Sequence, residues 1–102
     1  ILGFPPFARL VRLVFRSKKR ETSLAGAEGA AAILKELIPE GAELMGPAEC
    51  PLAVIAGNHR HQIILRSATL APIAHAARSF LVAYKPLPSL YVEADVDPVS
   101  LL

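Results

Sequence analysis

Basic, amide and imidazole side chains alternate in the segment 58–65, which reads Asn-His-Arg-His-Gln-Ile-Ile-Leu. Successive side chains of an extended strand point to opposite faces, so Arg60 and Gln62 share one face. His59 and His61 share the other. A strand whose first residues are polar and partly basic and whose later residues are apolar is typical of a central strand that extends from the core to a binding edge. The same side chains would suit the solvated end of a hairpin, and the pattern alone leaves both interpretations open.

The densest group of positive charges lies between the end of a predicted strand and the start of a predicted helix. It comprises Arg16, Lys18, Lys19 and Arg20. Backbone N–H groups and the helix dipole at such a junction favour anions, so phosphate contact is chemically reasonable there. A solvated loop is the competing interpretation, because a net charge of +2 is too small to indicate a nucleic-acid-binding protein by itself.

Other kinds of chemistry find little support in the sequence. His59 and His61 could ligate a metal together, but no nearby cysteine or carboxylate completes such a site. Cys50 is the single cysteine, so an internal disulfide is excluded. The glycines form no phosphate-binding loop, the serines lack the surroundings of a catalytic triad, and the aromatic residues form no paired stacking platform. We therefore expect no catalytic residue, metal site or cofactor in this chain.

The length of 102 residues predicts a single domain over 1–102, with consecutive prolines holding 1–6 as an extended lead-in. Because the chain begins at Ile1 and its single methionine is Met45, we expect a fragment or processed product of a larger protein. A hydrophobic content of 53% indicates that part of the surface is covered elsewhere in that protein. No apolar run approaches the roughly 18 to 20 residues that span a bilayer, and the sequence shows no signal-peptide pattern, so we expect a cytoplasmic protein without membrane contact.

Residue periodicity predicts four strands and two helices. The buried stripe of the first helix includes Leu37, and that of the second helix includes Leu81. Gly26 and Gly29 are tolerable in the first helix if they let it lie close to the sheet. The predicted elements are, in order, a strand over 7–16, a helix over about 23–38 capped by Thr22 or Ser23, an edge strand that begins at 42–45, is interrupted at 46–51 and resumes at Leu52, a turn at Gly57-Asn58, a third strand, a helix capped by Thr69, and a strand over 90–96.

This order of elements predicts an α+β fold, the ferredoxin-like split βαβ arrangement (βαββαβ), with a mainly antiparallel four-stranded sheet and both helices on one face. The first and third strands are then central, and the other face of the sheet is free. Glu93 and Asp95 lie on the neighbouring edge strand, and pairing with them is the purely structural interpretation of the arginines on that face. Those arginines are Arg12, Arg16, Arg60 and Arg66.

Four segments spread through the chain match one family pattern: Phe4-Pro5-Pro6-Phe7, Gly46-Pro47-Ala48 with Pro51, the segment 57–65, and Asp95-Val96-Asp97-Pro98. In these segments, the chain resembles the C-terminal domain of primosomal protein N′, the bacterial replication-restart helicase PriA. Their order and spacing cover nearly the whole chain.

The resemblance implies a fold similar to a small ribosomal-subunit protein, attached to a superfamily-2 helicase core that unwinds DNA in the 3′ to 5′ direction. Such a parent protein hydrolyses ATP with magnesium and carries zinc in a cysteine-rich insertion. Neither the ATPase motifs nor the zinc-binding cysteines are in this sequence. It assembles primosomes at stalled forks and D-loops. The domain itself would be a non-catalytic module whose partners are branched or single-stranded DNA, the tail of the single-stranded-DNA-binding protein SSB, the helicase lobes of the same chain and other primosome proteins.

Residue roles follow from the resemblance and from the predicted basic face. Some family members place a basic and an amide side chain at the start of the second helix, where they bind the SSB tail. This sequence has only apolar residues at 70–74, so Arg66 or Arg78 would have to serve there. The residues expected to contact DNA, mainly through phosphates, are Arg12, Arg16, Lys18, Lys19, Arg60, Gln62 and Arg66.

Two competing functions remain open at this point. A purely structural module would dock its apolar surface on the helicase lobes without touching DNA. A small ferredoxin-like enzyme such as an acylphosphatase would need an anion-cradling loop with a positioned arginine and asparagine. Asn58 is expected in a hairpin turn instead.

Overall fold

Residues 9–98 are described by the computed structural model of the chain, and they confirm the predicted order of elements. The lead-in over 1–6, the segment Phe4-Pro5-Pro6-Phe7 and the start of the first predicted strand lie outside the described residues. The elements are β1 (Arg9–Ser17), α1 (Arg20–Leu37), β2 (Glu43–Ile55), β3 (Asn58–Ser67), α2 (Leu70–Ala83) and β4 (Tyr91–Val96).

The four strands form one antiparallel sheet in the order β2-β3-β1-β4. β1 and β3 are central, as predicted, and β2 and β4 are the edges. Both helices pack on the same face, and α1 also contacts α2. This is the predicted ferredoxin-like fold, and it leaves the second face of the sheet without a helix among residues 9–98.

Alternate residues of the two central strands form the core under the helices. The Phe80 and Tyr84 rings of the second helix region are stacked, with 4.6 Å between centroids, and Phe15 of β1 meets both edge-on. Because every second side chain is committed to this core, the residues between them must point to the helix-free face. The buried core residues of the sheet are Val11, Leu13, Phe15, Ile63 and Leu65.

Several predicted details of the helices are wrong. α1 begins at Arg20 rather than near Ser23, and Lys19 is the N-cap without a side-chain capping bond. Thr69 is the N-cap of α2, as predicted, but its side chain makes no capping bond either. Leu37 and Leu81 were expected in the buried stripes and are each 40% exposed, because only a narrow face of each helix reaches the sheet.

The hairpin between β2 and β3 reverses one residue earlier than predicted. Ala56 and Gly57 form the turn with φ values of 51° and 79°, and Ile55 pairs with Asn58 across it. Two consecutive positive φ values are typical of the type I′ turn, whose twist matches that of the flanking strands. Asn58 therefore begins β3 instead of occupying the turn, and its Nδ2 donates to the Ala56 carbonyl at 3.4 Å.

β2 is an edge strand, as its prolines predicted. The interruption over 46–51 is two shifts of register against β3, one between Met45 and Ala48 and one between Glu49 and Val54, within a single strand. The Gly46–Pro47 peptide bond is cis. Prolines are compatible with these irregular positions because no ladder hydrogen bond is required there.

The two glycines inside α1 have different surroundings. A methyl group added at Gly26 would overlap the side chain of Leu90, which is only 5% exposed and packs in the core. Nothing lies within 4 Å of the corresponding position at Gly29. Gly26 therefore makes room for the segment before β4, not for the sheet itself, and Gly29 has no such packing role.

Alanine substitutions should separate these two cases. We expect Gly29→Ala to stabilise the fold by up to about 1 kcal/mol, because alanine is the better helix former. Gly26→Ala gains the same propensity but forces Leu90 to move, and overpacking of this kind costs about 1–3 kcal/mol. Urea unfolding monitored by circular dichroism measures both, and a Gly26→Ala variant as stable as Gly29→Ala would contradict the packing argument.

A buried polar pair joins α1 to β3. The Ser23 hydroxyl donates to the Phe15 carbonyl at 2.8 Å, and its oxygen lies 2.6 Å from Nδ1 of His61. Because the hydroxyl proton is used on Phe15, His61 must donate through Nδ1–H, which leaves Nε2 as the unprotonated nitrogen. Nε2 is buried and has no hydrogen-bond partner within residues 9–98. Burial accordingly lowers the pKa of His61.

This pair makes stability depend on pH in a defined direction. The folded pKa of His61 is below the ordinary value of about 6.5, so the unfolded chain takes up the proton first on acidification. The contribution of His61 to the free energy of unfolding is fully present above about pH 6.5. It decreases as the pH falls from that value to the lower pKa of the folded state. We expect the urea midpoint of the wild-type chain to fall more between pH 7.5 and 5.5 than that of His61→Phe. An equal fall of the urea midpoint in both proteins would contradict the lowered pKa of His61.

At neutral pH, Ser23→Ala should lower the free energy of unfolding by about 1–3 kcal/mol, because the buried Nδ1–H donor of His61 loses its acceptor.

Candidate nucleic-acid interface

The helix-free face of the sheet, called the open face below, collects the basic residues of both central strands. Arg16 pairs directly with Arg60, and Leu10 pairs with Arg66, so the even-numbered residues of β1 and β3 share this face. Arg12 follows the same alternation. The predicted grouping of the four arginines on one face is therefore confirmed.

Carboxylates on the edge strands neutralise much of this face. Nη2 of Arg12 lies 3.2 Å from Oδ2 of Asp95, and the Arg12 side chain is only 8% exposed. Nε of Arg66 lies 3.2 Å from Oε1 of Glu43 on the other edge. The purely structural interpretation of the arginines thus describes these two positions well, because their charges are used within the sheet.

Arg16 and Arg60 face each other across the central pair of strands, where two like charges repel. They point apart. Nε of Arg16 lies 3.2 Å from Glu93 Oε2, and its guanidinium carbon lies 4.6 Å from the centre of the Tyr91 ring. Nη1 of Arg60 donates to the Leu52 carbonyl at 2.7 Å, and Arg60 is buried. The divergence leaves a groove between them.

The groove and its extension form two adjoining clefts at the hairpin end of the sheet. The smaller, of about 280 Å³, is lined by residues that include Arg16, Asn58, Arg60 and Glu93. The larger, of about 590 Å³, we call the end cleft. It is lined by Arg16, Ser17, Lys18, Lys19, Asn58, Ser89 and Tyr91.

Lys18 and Lys19 are the accessible cations of the end cleft. Both are exposed, and the Lys19 N–H donates to Ser17 Oγ at 3.1 Å, which fixes the turn between β1 and α1. Neither lysine forms an ion pair with another described residue. Nε of Arg20, in the same cluster, lies 3.5 Å from Oε2 of Glu49. Within the basic group 16–20, Arg16 and Arg20 are paired with carboxylates, so Lys18 and Lys19 are the cations whose charge is available to a ligand.

Gln62 lies on the open face but is partly covered. Its Oε1 is buried and has no hydrogen-bond partner within residues 9–98. Cys50, from the irregular part of β2, lies nearby, and burial raises the pKa of its thiol while the charges of Arg60 and Arg12 act in the opposite sense. The Leu52 carbonyl, which accepts from Arg60, belongs to the same irregular part of β2.

The acidic motif Asp95-Val96-Asp97-Pro98 at the end of β4 connects that strand to β1. Oδ2 of Asp97 accepts from Arg9 Nε at 2.7 Å, and Oδ1 accepts from the Leu10 N–H at 2.9 Å. The hydrogen bonds from Arg9 and Leu10 lower the pKa of Asp97. Together with the pairing of Asp95 and Arg12, these contacts give both aspartates of the motif a structural role.

The two arginines named as alternatives for binding an SSB tail lie on different sides of the sheet. Arg66 lies on the open face and is paired with Glu43, whereas Arg78 is exposed on α2, on the opposite side of the sheet. The structure does not bring them together. Within residues 9–98, no three His, Cys, Asp or Glu side chains are placed to hold a metal ion, and neither helix could cross a membrane.

Sequence reasoning missed Tyr91 and Ser89 as candidate site residues. Tyr91 is 55% exposed, and alternation along β4 puts it on the same face as Glu93 and Asp95. Its pairing with Arg16 across the β1–β4 register brings it to the end cleft. Ser89 precedes the strand with φ of 67° and gave no comparable signal.

Comparisons with known proteins agree over almost the whole chain. Residues 1–99 match the family described as Primosomal protein N C-terminal domain. The chain is 46% identical to the replication restart protein PriA of Treponema pallidum and 30% identical to that of Borreliella burgdorferi, over 99% of its length in both cases. It spans about 15% of the length of each of these relatives.

A solved structure of unrelated origin shows the same fold. The de novo designed protein Foldit4 superposes with a TM-score of 0.64 at 15% identity, covering 91% of this chain and 99% of the designed one. At that identity the likeness concerns the fold alone. The match over residues 1–99 and the identity to the two PriA proteins show that the chain belongs to the family of primosomal protein N C-terminal domains.

Proposed function

We propose that this domain binds DNA and docks partner proteins as the C-terminal part of a PriA-like replication-restart helicase. The observation that carries the DNA-binding part is the end cleft, where Lys18 and Lys19 are exposed and lack ion-pair partners among residues 9–98. Phosphate contacts by such side chains position a protein on DNA without reading its sequence. Membership of the family supports the proposal that the domain is part of a PriA-like protein.

The distribution of charge sets the strength of this binding. Arg12 and Arg66 are held by carboxylates, so they add little to the attraction of a phosphate unless those pairs break. Few contacts then remain, and each neutralised phosphate contributes a slope of about 0.7 to 0.9 in the dependence of log affinity on log salt. The domain should bind branched or single-stranded DNA weakly and with modest salt sensitivity.

The activities of the longer parent are part of the proposal. That protein would hydrolyse ATP with magnesium, hold zinc in a separate insertion, unwind DNA in the 3′ to 5′ direction and work with SSB and other primosome proteins at forks and D-loops. These properties are supported by the family resemblance alone, because the chain spans only about 15% of the length of its relatives. The domain would add DNA contacts and docking surface to them.

A second function, docking on the helicase lobes without DNA contact, is favoured by exposed apolar residues on β2. Leu52, Val54 and Ile55 are 44%, 49% and 44% exposed near the hairpin end, and Met45 of the same strand is 39% exposed. Clustered exposed apolar side chains mark interaction sites. The neutralised centre of the open face is compatible with this alternative as well.

DNA binding can be tested with charge-matched double variants. Lys18→Ala combined with Lys19→Ala should weaken binding of labelled single-stranded and forked DNA about tenfold at low salt, which corresponds to about 1.4 kcal/mol. It should also reduce the salt slope by roughly 1.5, because two phosphate contacts are lost. Fluorescence anisotropy titrations at several salt concentrations measure both quantities.

The matched control is Lys35→Ala combined with Lys85→Ala, which removes the same charge from exposed positions outside the end cleft. It should leave the salt slope nearly unchanged. Arg12→Ala should also leave the slope unchanged, since that guanidinium is engaged with Asp95. Equal losses in both double variants would remove the end cleft from the proposal, and absence of DNA binding by the unaltered chain would favour docking alone.

The docking alternative predicts a different pattern. Val54→Ser and Leu52→Ser replace exposed residues, so they should change the stability of this chain by no more than about 0.5 kcal/mol. In the longer parent protein, the same changes should lower the melting temperature if β2 packs on the helicase lobes. Scanning calorimetry of both proteins compares the two effects, and an unchanged parent would rule out docking through this strand.

A further inference from the structure

We propose that the end cleft binds one unpaired nucleotide of single-stranded DNA, with the base against Tyr91 and the phosphate beside Lys18 and Lys19. This inference rests on the proposed DNA-binding function and specifies its ligand. The cleft volume of about 590 Å³ lies within the range of pockets that hold small ligands. It combines what a nucleotide requires: an aromatic surface, cations and polar groups.

Tyr91 is held ready for stacking before any ligand arrives. The Arg16 guanidinium lies over its ring at 4.6 Å, and Glu93 holds that guanidinium through Nε. Tyr91 is nevertheless 55% exposed, so the surface that Arg16 does not cover is accessible. A ring supported on one side by a cation presents a fixed platform to a base on the other, and stacking then requires little ordering of the protein.

The charges around the cleft also fix the direction of the ligand. Glu93 lines the adjoining smaller cleft and would repel a phosphate there. Lys18 and Lys19 line the end cleft but not the smaller cleft, and they lie where the chain passes from β1 to α1. A nucleotide therefore fits with its phosphate toward Lys18 and Lys19 and its base toward Tyr91, while the side chains of Asn58 and Ser89 offer hydrogen bonds.

This arrangement selects unpaired over paired DNA. A base inside a duplex is already stacked on its neighbours and cannot reach a tyrosine on a protein surface. Aromatic stacking is tolerant of sequence because every base has a stacking face. The end cleft should therefore prefer single strands without preferring a particular base.

The decisive comparison removes bases and keeps phosphates. The chain is titrated with a labelled oligothymidylate, with an abasic strand of the same length and backbone, and with a duplex. We expect the oligothymidylate to bind at least fivefold more tightly than the abasic strand, because each stacked base contributes that much or more. Tyr91→Leu should abolish this difference by weakening only the oligothymidylate, and Tyr91→Phe should retain it. Lys18→Ala with Lys19→Ala should weaken both strands alike.

Each outcome has a defined meaning. Equal affinity of the unaltered chain for the thymidylate and abasic strands would overturn the nucleotide site, and this comparison does not depend on how any variant folds. If binding to both strands still depended on the lysines, the proposed DNA-binding function would stand without it. No binding to any of the three DNAs would overturn both proposals. A base-dependent difference that survives Tyr91→Leu would place the stacking elsewhere and overturn the inference.

Discussion

The antiparallel pairing of β1 with β3 under two helices is the constraint on which the other features depend. It commits Val11, Leu13 and Phe15 to the core and so sends the residues between them to the open face. A slip of one residue would turn Arg12 under the helices and expose the apolar set, so the register is strongly specified. A strand that alternates aliphatic and basic side chains is stable only where one face of the sheet has no helix over it.

That constraint creates an electrostatic problem that the edge strands solve. Arginines of two adjacent strands share one face, and Arg16 lies directly opposite Arg60. Carboxylates come from both edges, with Glu43 on β2 and Asp95 on β4, and the backbone carbonyl of Leu52 receives Arg60. The centre of the sheet is therefore charge-compensated. Accessible positive charge remains where β1 ends and the chain turns into α1, because Lys18 and Lys19 form no ion pair with a carboxylate within residues 9–98.

Local patterns predicted the faces of the strands well, and they also named Asp95 and Glu93 as partners of the open-face arginines, which the structure confirms. They did not predict the contact between Arg16 and Tyr91. Alternation placed Arg12 and Arg60 on one side, and prolines identified β2 as an edge. The pairing of Arg16 with Tyr91 depends on the register between β1 and β4, which lie at opposite ends of the chain, and no short sequence signal encodes it. The turn at Ala56 was missed for a related reason, since the twist of the hairpin imposes a positive φ on a residue that does not favour it. The end cleft consists of side chains from three separate segments, so only the fold reveals it.

A cleft that bound a single nucleotide, as proposed, would bind it weakly, and its contribution to affinity would depend on the protein to which it is attached. Linking two binding modules makes the second binding event intramolecular, with an effective concentration in the millimolar range for short flexible linkers. The chain spans about 15% of its relatives, so most of any DNA contact in such a protein would come from other parts. A site of the proposed kind would add little affinity when isolated, but in a longer protein it would bias binding toward junctions where an unpaired strand lies within reach. The geometry between the domain and the rest of that protein would then decide which strand of a fork the cleft meets, because avidity is lost when both sites cannot be occupied together.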